Sequence, residues 1–361
     1  MKIGLIGLGL SGKTTMFNAV SQGNVEVGGY LTRKGEVHLG RVLVPDARVD
    51  WLAGMSKSKK ITYAEVEYMD VAGFSGEKNT GVEEEIPADL RECDALAHVI
   101  RVFEEPGSVH PKGSVDILRD VRLLDDELIF TDLLSIEARI DKLGRQARLE
   151  KNEILRSENN LLRKIRRRLE EGKPLREMGL TADDEKIVRG FRFLSAKPIL
   201  IILNVGEDDI PQIDPITEKY STLAEHENTD VVVICGKIQM ELLQLPGEEQ
   251  QAFMDDLGLK GTALDRVIKK SYELLGLISF LTTGEDETRA WTIRRGGTAQ
   301  QAAGAIHADF ERGFIRAQVI AYDDLRRYGS EVEVKKQGRV RLEGKDYIVQ
   351  DGDEILFRFN V

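Results

Sequence analysis

Short apolar runs and longer amphipathic segments alternate along much of the chain. The apolar runs that predict buried strands lie at 2–8, 36–44, 66–70, 95–103, 198–204 and 230–235. The intervals between them are long enough for helices, and the apolar spacing at 14–21, directly after the first run, predicts one. Strands that alternate with helices in this way indicate a mainly parallel sheet in an α/β fold.

One long stretch, from 132 to about 191, interrupts this alternation because it lacks a strand pattern. Its apolar residues recur at a spacing of roughly 3.5, which is typical of helices that pack along a seam. Between residues 132 and 173 there are 12 Lys and Arg against 8 Asp and Glu, so the stretch is positive within a chain of net charge -11. This charge fits either the solvated face of a helical hairpin or a surface that faces RNA or a ribosome.

The C-terminal part of the chain has a different pattern. A helix predicted over 264–276 is followed by short strands and turns. The predicted strands lie at 277–281, 287–293, 313–320, 347–349 and 355–359, with one helix at 299–310. This arrangement predicts a small α+β domain.

Length and composition exclude several classes of protein. A chain of 361 residues is long enough for two or three domains. Its acidic balance, 51 Lys and Arg against 62 Asp and Glu, argues against DNA binding over the whole surface. The longest apolar runs fall far short of the roughly 20 residues that a membrane helix needs. With no cleavage-like site near the N-terminus and no CxxC spacing between Cys93 and Cys235, we expect a cytoplasmic protein without disulfides or a membrane partner.

A glycine-rich string follows the first predicted strand and opens the first predicted helix. It reads Gly7-Leu-Gly-Leu-Ser-Gly12-Lys13-Thr14, which is the P-loop pattern. Glycines let backbone N–H groups approach a phosphate chain, Lys13 adds a positive charge, and the helix start adds its dipole. The hydroxyl of Thr14 is the expected Mg²⁺ ligand. The string therefore predicts nucleotide binding, against the alternative of a glycine-rich turn.

A second string, Asp70-Val-Ala-Gly73, ends the strand predicted at 66–70. A carboxylate at this position can hold Mg²⁺ through water, and the backbone N–H of Gly73 can reach a γ-phosphate because no side chain blocks the approach. The position after a P-loop and at a strand end favours a nucleotide switch over an ordinary loop.

A third string, Asn204-Val-Gly-Glu207, follows the apolar strand at 198–203. GTPases normally carry Asn-Lys-x-Asp at this place, where the aspartate accepts two hydrogen bonds from the guanine edge. Here Val205 replaces the lysine and Glu207 the aspartate. The string predicts a base-binding loop without a clear guanine preference, and an exposed loop is the alternative.

Together with further strings, these motifs make the chain resemble the YchF subfamily of Obg-like P-loop ATPases over nearly its whole length. The carrying strings are Val44-Pro-Asp-Ala-Arg48, Arg91-Glu-Cys-Asp-Ala-Leu-Ala-His-Val-Ile-Arg-Val-Phe103, Asp126-Glu-Leu-Ile-Phe-Thr-Asp-Leu133, Arg289-Ala-Trp-Thr-Ile-Arg294, Gln301-Ala-Ala-Gly-Ala-Ile-His-Ala-Asp-Phe-Glu-Arg-Gly-Phe-Ile315 and Gly344-Lys-Asp-Tyr-Ile-Val-Gln-Asp-Gly-Asp353. The resemblance implies a P-loop G domain at 1–131 and 192–276, an inserted helical coiled-coil arm at 132–191, and a ubiquitin-like (β-grasp) TGS domain at 277–361. It also implies Mg²⁺ dependence, ATP preferred over GTP, and association with ribosomes.

The resemblance also assigns site residues. The nucleotide-binding residues that it implies are Leu10, Ser11, Gly12, Lys13, Thr14, Thr15, Asn204, Val205, Glu207, Cys235, Gly236 and Lys237. Asp70 and Gly73 match its second switch. The threonine of its first switch aligns with Lys34, so Thr32, two residues earlier, is the candidate Mg²⁺ ligand there.

A catalytic residue is implied by what the second switch lacks. Phe74 stands where GTPases carry a catalytic glutamine, and an apolar side chain cannot orient a water molecule by hydrogen bonding. In the family the candidate for this role is a histidine on the loop after the Arg-x-Phe strand, and His110 lies there. Lys13 and Gly73 complete the predicted catalytic set. The alternative is a loop histidine without a catalytic role.

Two functions of different classes follow. The first is a slow Mg²⁺-dependent ATPase whose nucleotide state controls docking to a ribosome or its RNA, as a switch in translation or stress response. The second is a nucleotide-binding adaptor for RNA or ribosomes with negligible hydrolysis. A guanine-specific GTPase is disfavoured by Val205 and Glu207.

Overall fold

A computed structural model describes residues 1–22, 37–71, 87–105, 107–146, 153–259 and 261–360. The chain forms two compact units. The first contains Met1–Val42 and Glu67–Leu274, and the second contains Leu43–Val66 and Leu275–Val361. The domain limits predicted above stay a prediction.

The described residues form strands and helices in the following order. The strands are β1 (Lys2–Ile6), β2 (Val37–Leu43), β3 (Lys60–Thr62), β4 (Glu65–Val71), β5 (Ala95–Arg101), β6 (Ile199–Asn204), β7 (Thr229–Ile234), β8 (Leu277–Thr282), β9 (Glu287–Arg294), β10 (Phe314–Ala321), β11 (Arg341–Glu343) and β12 (Asp353–Phe359). The helices are α1 (Lys13–Gln22), α2 (Ala47–Ser56), α3 (Asp89–Glu92), α4 (Ile117–Gln146), α5 (Glu153–Glu170), α6 (Ala182–Val188), α7 (Ile213–Lys219), α8 (Gly236–Leu242), α9 (Gly247–Asp256), α10 (Ala263–Leu274), α11 (Ala299–Ile306), α12 (Ala308–Arg312), α13 (Tyr322–Tyr328) and α14 (Glu331–Lys336). Short 3-10 helices lie at Leu175–Glu177, Arg189–Phe191, Glu207–Gln212 and Ser221–Glu225.

The first unit is built on a six-stranded sheet in the order β2-β4-β1-β5-β6-β7. β1 pairs in parallel with β4 and β5, and β5-β6 and β6-β7 are also parallel. Every residue of β5 and β6 is buried, which suits the continuous apolar runs of central parallel strands. The predicted α/β fold with a mainly parallel sheet is confirmed. Because parallel strands end at the same edge, the segments after β1, β5 and β6 meet there.

The predicted helical stretch forms two long helices, α4 and α5, that pack against each other. α4 has 30 residues, or about 45 Å, and begins at Ile117, well before the predicted start of the arm. The first half of α4 packs on the sheet through Leu124 and Leu128. Farther along, the buried face of the pair contains Ile129, Ile136, Ile140, Leu143, Leu161, Leu162, Ile165 and Leu169. One apolar stripe of α4 therefore packs first on the sheet and then on α5. Because the stripe is continuous, its periodicity does not show where the helix leaves the sheet.

The second unit is built on a sheet in the order β11-β10-β12-β8-β9-β3. β8-β9, β10-β11 and β10-β12 are antiparallel, whereas β12-β8 and β3-β9 are parallel. Its core includes Phe280, Ala303, Val319 and Phe357. The predicted C-terminal α+β arrangement is confirmed, and the segment 43–66 adds α2 and β3 to it.

Arg48 ties the segment 43–66 to the C-terminal part of this unit. Its guanidinium donates to Asp46 Oδ1 and Oδ2 and, through Nη1, to Asp351 Oδ2 at 2.9 Å. Asp46 also caps α2 by accepting from the N–H of Arg48. Asp351 in turn accepts from the N–H of Ser279 at 2.9 Å. Two carboxylates from distant parts of the sequence therefore share one arginine.

Two predicted elements of this unit differ in the structure. The predicted strand at 347–349 is wrong: only an isolated bridge, Thr298↔Ile348, forms there. The predicted helix at 299–310 is divided into α11 and α12, because His307 has an extended backbone and caps α12 through its side chain. A capping histidine inside an apolar helical pattern gives no periodicity signal.

The burial of Glu354 on β12 predicts that the stability of this unit depends on pH. Its side chain is buried, and burial, followed by the nearby Glu331, raises the pKa of Glu354 to about 8, from 4.5. A folded-state pKa above the unfolded value means that stability is full below about pH 4.5 and is lost as the pH rises through about 8. Both tryptophans, Trp51 and Trp291, lie in this unit, so tryptophan fluorescence reports its unfolding.

We expect the midpoint of unfolding of this unit to decrease in the unaltered chain when the pH is raised from 5 to 8. The size of the decrease should correspond roughly to the free energy that linkage assigns to one buried carboxyl group. Glu354→Gln removes the titrating group and is expected to remove most of this slope. The exposed Glu285→Gln is the matched control. Equal slopes in the unaltered chain and in Glu354→Gln contradict the prediction.

Candidate functional site

The glycine-rich loop joins the end of β1 to the start of α1. Gly7 and Gly12 have φ of 149° and 93°, a region that favours glycine. A Cβ on Gly7 would lie 2.3 Å from the carbonyl oxygen of Val99, and one on Gly12 would lie 2.3 Å from Asn204 Nδ2. Both positions therefore require glycine, and the loop presents its backbone as a cradle for an anion.

Two other loop residues show local strain or an unpaired group. Leu10 has φ 59° and an exposed side chain, a conformation that costs an L-residue roughly 1 kcal/mol. The hydroxyl of Ser11 is buried without a hydrogen-bond partner among the described residues. Such features concentrate at functional sites.

Lys13 and Thr14 begin α1 and carry the polar chemistry of the loop. Lys13 Nζ donates to the carbonyl oxygens of Gly7 at 2.7 Å and Leu8 at 3.0 Å. Thr14 Oγ1 donates to Asp70 Oδ2 at 3.4 Å. Burial raises the pKa of Asp70, while Lys13 and Thr14 act in the opposite direction. The hydroxyl and carboxylate oxygens of Thr14 and Asp70 suit Mg²⁺, which prefers such ligands.

Asn204 connects the phosphate loop to the two base-loop motifs, which are the segments 204–207 and 235–237 that carry the predicted base-binding residues. It lies buried at the end of β6, donates through Nδ2 to the carbonyl oxygen of Ser11 at 3.0 Å, and accepts through Oδ1 from the N–H of Gly236 at 3.0 Å. A Cβ on Gly236 would lie 3.2 Å from Asn204 Oδ1 and 3.5 Å from Thr15 Cγ2, so the packing is tight. Three predicted motifs are thus brought together by one side-chain amide.

The remaining base-loop residues separate into buried and exposed positions. Val205 and Cys235 are buried in the hydrophobic core, and burial raises the pKa of the Cys235 thiol. Glu207 and Lys237 are exposed at the rim of the candidate nucleotide site, with Lys237 Nζ 2.5 Å from Glu207 Oε2. Their hydrogen bond raises the pKa of Lys237, so the lysine stays charged. Sequence motifs did not predict this ion pair.

His110 lies on the loop between β5 and α4 and is buried. Its Nδ1 accepts from the N–H of Lys112 at 3.1 Å, and its Nε2 lies 3.1 Å from Asp120 Oδ2. Arg119 Nη2 is 3.5 Å from Nδ1. Both ring nitrogens thus face protein groups in this conformation, and the water-positioning role of His110 stays a prediction.

The loop that carries His110 is held by Arg101, which sequence reasoning missed. Arg101 ends β5 and is almost fully buried. Its Nε donates to the carbonyl oxygen of Phe103 and its Nη2 to that of Ser108, both at 2.9 Å. The sequence signal that could have indicated this role is an arginine within a mainly apolar strand pattern.

Some predicted residues fall outside the described part of the chain. These are Thr32 in the first switch and Gly73, with its neighbour Phe74, in the second. In the described ranges, no group of three or more His, Cys, Asp or Glu side chains is arranged to hold a metal ion. Within the same ranges, no helix combines the length and apolar character that crossing a membrane requires.

Comparisons with known proteins found relatives over nearly the whole length of the chain. Residues 277–360 match the family model YchF-GTPase_C, which is described as a protein of unknown function (DUF933). Over 99% of each chain, the sequence is 40% identical to the ribosome-binding ATPase YchF of Bacillus subtilis. The chain belongs to the YchF family. The resemblance inferred from the sequence is therefore confirmed.

Other YchF proteins are similar over the same length. The ribosome-binding ATPase YchF of Escherichia coli O157:H7 is 37% identical over 100% of this chain and 99% of its own. The solved YchF GTPase of Schizosaccharomyces pombe has a TM-score of 0.85 at 30% identity, covering 99% of this chain and 97% of that one. The fold described above is thus the YchF fold.

Proposed function

We propose that this YchF protein is a ribosome-binding, Mg²⁺-dependent ATPase of the cytoplasm, with slow turnover and ATP preferred over GTP. Its nucleotide state would control docking to the ribosome in translation or stress response. The observation that carries the proposal is the junction at Asn204, where one buried amide joins the phosphate loop to both base-loop motifs. The full-length relatives named ribosome-binding ATPases support it.

The phosphate and metal chemistry follows from the residues at the loop. Lys13 holds two loop carbonyls with its ammonium, and these neutral acceptors are weaker partners than phosphate oxygens. Thr14 and Asp70 would hold Mg²⁺, which neutralises developing charge on the phosphates when bound. Gly73 and Thr32 are proposed to complete the site from the two switches.

The preference for ATP rests on the base loop. Val205 is buried and cannot supply the side chain that lysine supplies in GTPases. Glu207 is longer than the usual aspartate, and its carboxylate already contacts Lys237. Both features weaken the two-point recognition of guanine.

The ribosome contact is proposed to include the basic face of α5. Arg163, Lys164 and Arg167 are exposed there, opposite the buried apolar face of the helix. Arginine and lysine clusters bind the phosphates of RNA in a salt-dependent way. The C-terminal unit is the second proposed contact.

The adaptor function is the second candidate, because one observation favours it. His110 is buried with both ring nitrogens facing protein groups, so it positions no water in this conformation. For hydrolysis, the loop that carries His110 would have to rearrange so that the imidazole can contact a water molecule. In an adaptor, this loop would keep the conformation described here.

Phosphate release from ATP and from GTP, with Mg²⁺ and with or without ribosomes, separates the two functions. We expect ribosome-stimulated ATP hydrolysis that falls about a hundredfold in His110→Ala, because positioned acid–base groups contribute on the order of 10²–10⁴. The affinity for ATP is expected to stay unchanged in that variant, and His226→Ala is the matched control. Tight binding without turnover would establish the adaptor, and full turnover in His110→Ala would remove His110 from the mechanism.

A further inference from the structure

Lys237 and Glu207 face each other across two neighbouring strand ends. β6 and β7 are parallel, with Asn204 beside Ile234, so the segments that follow them lie side by side. Glu207 begins the 3-10 helix after β6, and Lys237 lies in the first turn of α8 after β7. Their side chains meet at 2.5 Å between Nζ and Oε2.

The backbones on both sides of this ion pair are held in place. Asn204 Oδ1 accepts from the N–H of Gly236, next to Lys237. Asp209 Oδ2 accepts from the N–H of Gly206 at 3.2 Å, next to Glu207. The two charged groups are therefore presented from fixed positions, while 43% of the Glu207 side chain and 66% of the Lys237 side chain are exposed and open to a ligand.

The chemistry of this pair treats the two purine bases differently. Guanine presents two N–H donors side by side, and binding both requires both oxygens of a carboxylate. Adenine presents one amino group beside ring acceptors. Lys237 donates to Oε2 of Glu207 and so competes with a guanine donor for that oxygen, which leaves Oε1 for a single N–H.

We propose that Lys237 is a specificity-determining residue, which lowers the affinity for guanine nucleotides relative to adenine nucleotides by pairing with Glu207. The inference rests on the proposed function, since it assigns the rim of the nucleotide site to the base. Lys237 acts through Glu207, so its effect requires the carboxylate. This dependence makes the inference testable by a double-mutant cycle.

The experiment measures equilibrium binding of fluorescent analogues of ATP and GTP in the presence of Mg²⁺. The proteins compared are the unaltered full chain, the single variants Lys237→Ala, Lys237→Arg and Glu207→Gln, and the double variant that combines Lys237→Ala with Glu207→Gln. Lys237→Ala is expected to improve GTP binding relative to ATP by about three- to fivefold, the upper range for an exposed ion pair. Lys237→Arg retains the pairing and is expected to keep the original ratio. In the Glu207→Gln background, Lys237→Ala is expected to leave the ratio unchanged.

A matched control is Lys186→Ala, which removes an exposed lysine paired with Asp183 on α6 at 2.9 Å. The inference is overturned if Lys237→Ala shifts ATP and GTP binding equally, shifts the ratio toward ATP, or keeps its effect without the Glu207 carboxylate. Failure of the unaltered chain to bind either nucleotide overturns the inference and the proposed function together. Binding without phosphate release overturns only the ATPase function, since the affinity ratio is measured without turnover.

Discussion

Lys13→Ala is expected to weaken ATP binding about a hundredfold, which corresponds to roughly 2.8 kcal/mol. Lys13 Nζ lies inside the loop, bonded to the carbonyl oxygens of Gly7 and Leu8, where a phosphate chain would meet it. A charge-assisted hydrogen bond to phosphate is about twice as strong as a neutral one. Removing the ammonium takes away that bond and leaves the backbone cradle to hold the phosphates alone.

The measurement is titration of a fluorescent ATP analogue in the presence of Mg²⁺. Lys186→Ala removes the same charge far along the sequence and is expected to bind like the unaltered chain. Thermal unfolding without nucleotide checks that Lys13→Ala is folded. A loss of less than tenfold in a folded variant would show that Lys13 does not contact the phosphates.

Asp132→Ala is expected to lower the free energy of unfolding of the first unit by about 3 kcal/mol or more. Asp132 is fully buried on α4 and accepts from the N–H of Leu194 at 3.0 Å, from the N–H of Ser195 at 2.8 Å and from Ser195 Oγ at 2.7 Å. Burial raises the pKa of Asp132, and these donors act in the opposite direction. Without the carboxylate, the donors are stranded in the protein interior.

The position of Asp132 extends this effect to the nucleotide site. Leu194 and Ser195 precede β6, the strand that ends at Asn204, so their displacement is expected to weaken ATP binding as well. Urea unfolding followed by far-UV circular dichroism gives the stability change. The exposed Asp126→Ala on the same helix is the control. A loss below about 1 kcal/mol, the size of one ordinary hydrogen bond, would contradict the prediction.

Much of the first sheet could be predicted because its signals are local. β5, β6 and β7 are mainly apolar segments, and their predicted ends lie within about two residues of the observed ends. The positions of Gly7 and Gly12 follow from the same kind of information, since a tight loop between a strand and a helix requires positive φ.

Other elements escaped prediction because they exist only through distant pairing. β3 has three residues, Lys60–Thr62, without apolar alternation, and it is a strand because it pairs with β9. Likewise, the assignment of the segment 43–66 to the second unit depends on contacts such as Arg48–Asp351. Periodicity within a short segment contains no information about such partners.

The sequence by itself determined the phosphate loop, the positions of the main strands along the chain, the basic helical stretch and the family, because each depends on residue types at short spacing. Only the tertiary structure decided that Asn204 joins the loop to Gly236, that Asp120 faces His110 and that Lys237 neutralises Glu207. Charge pairing and burial depend on distances between residues remote in the chain, and folding sets those distances.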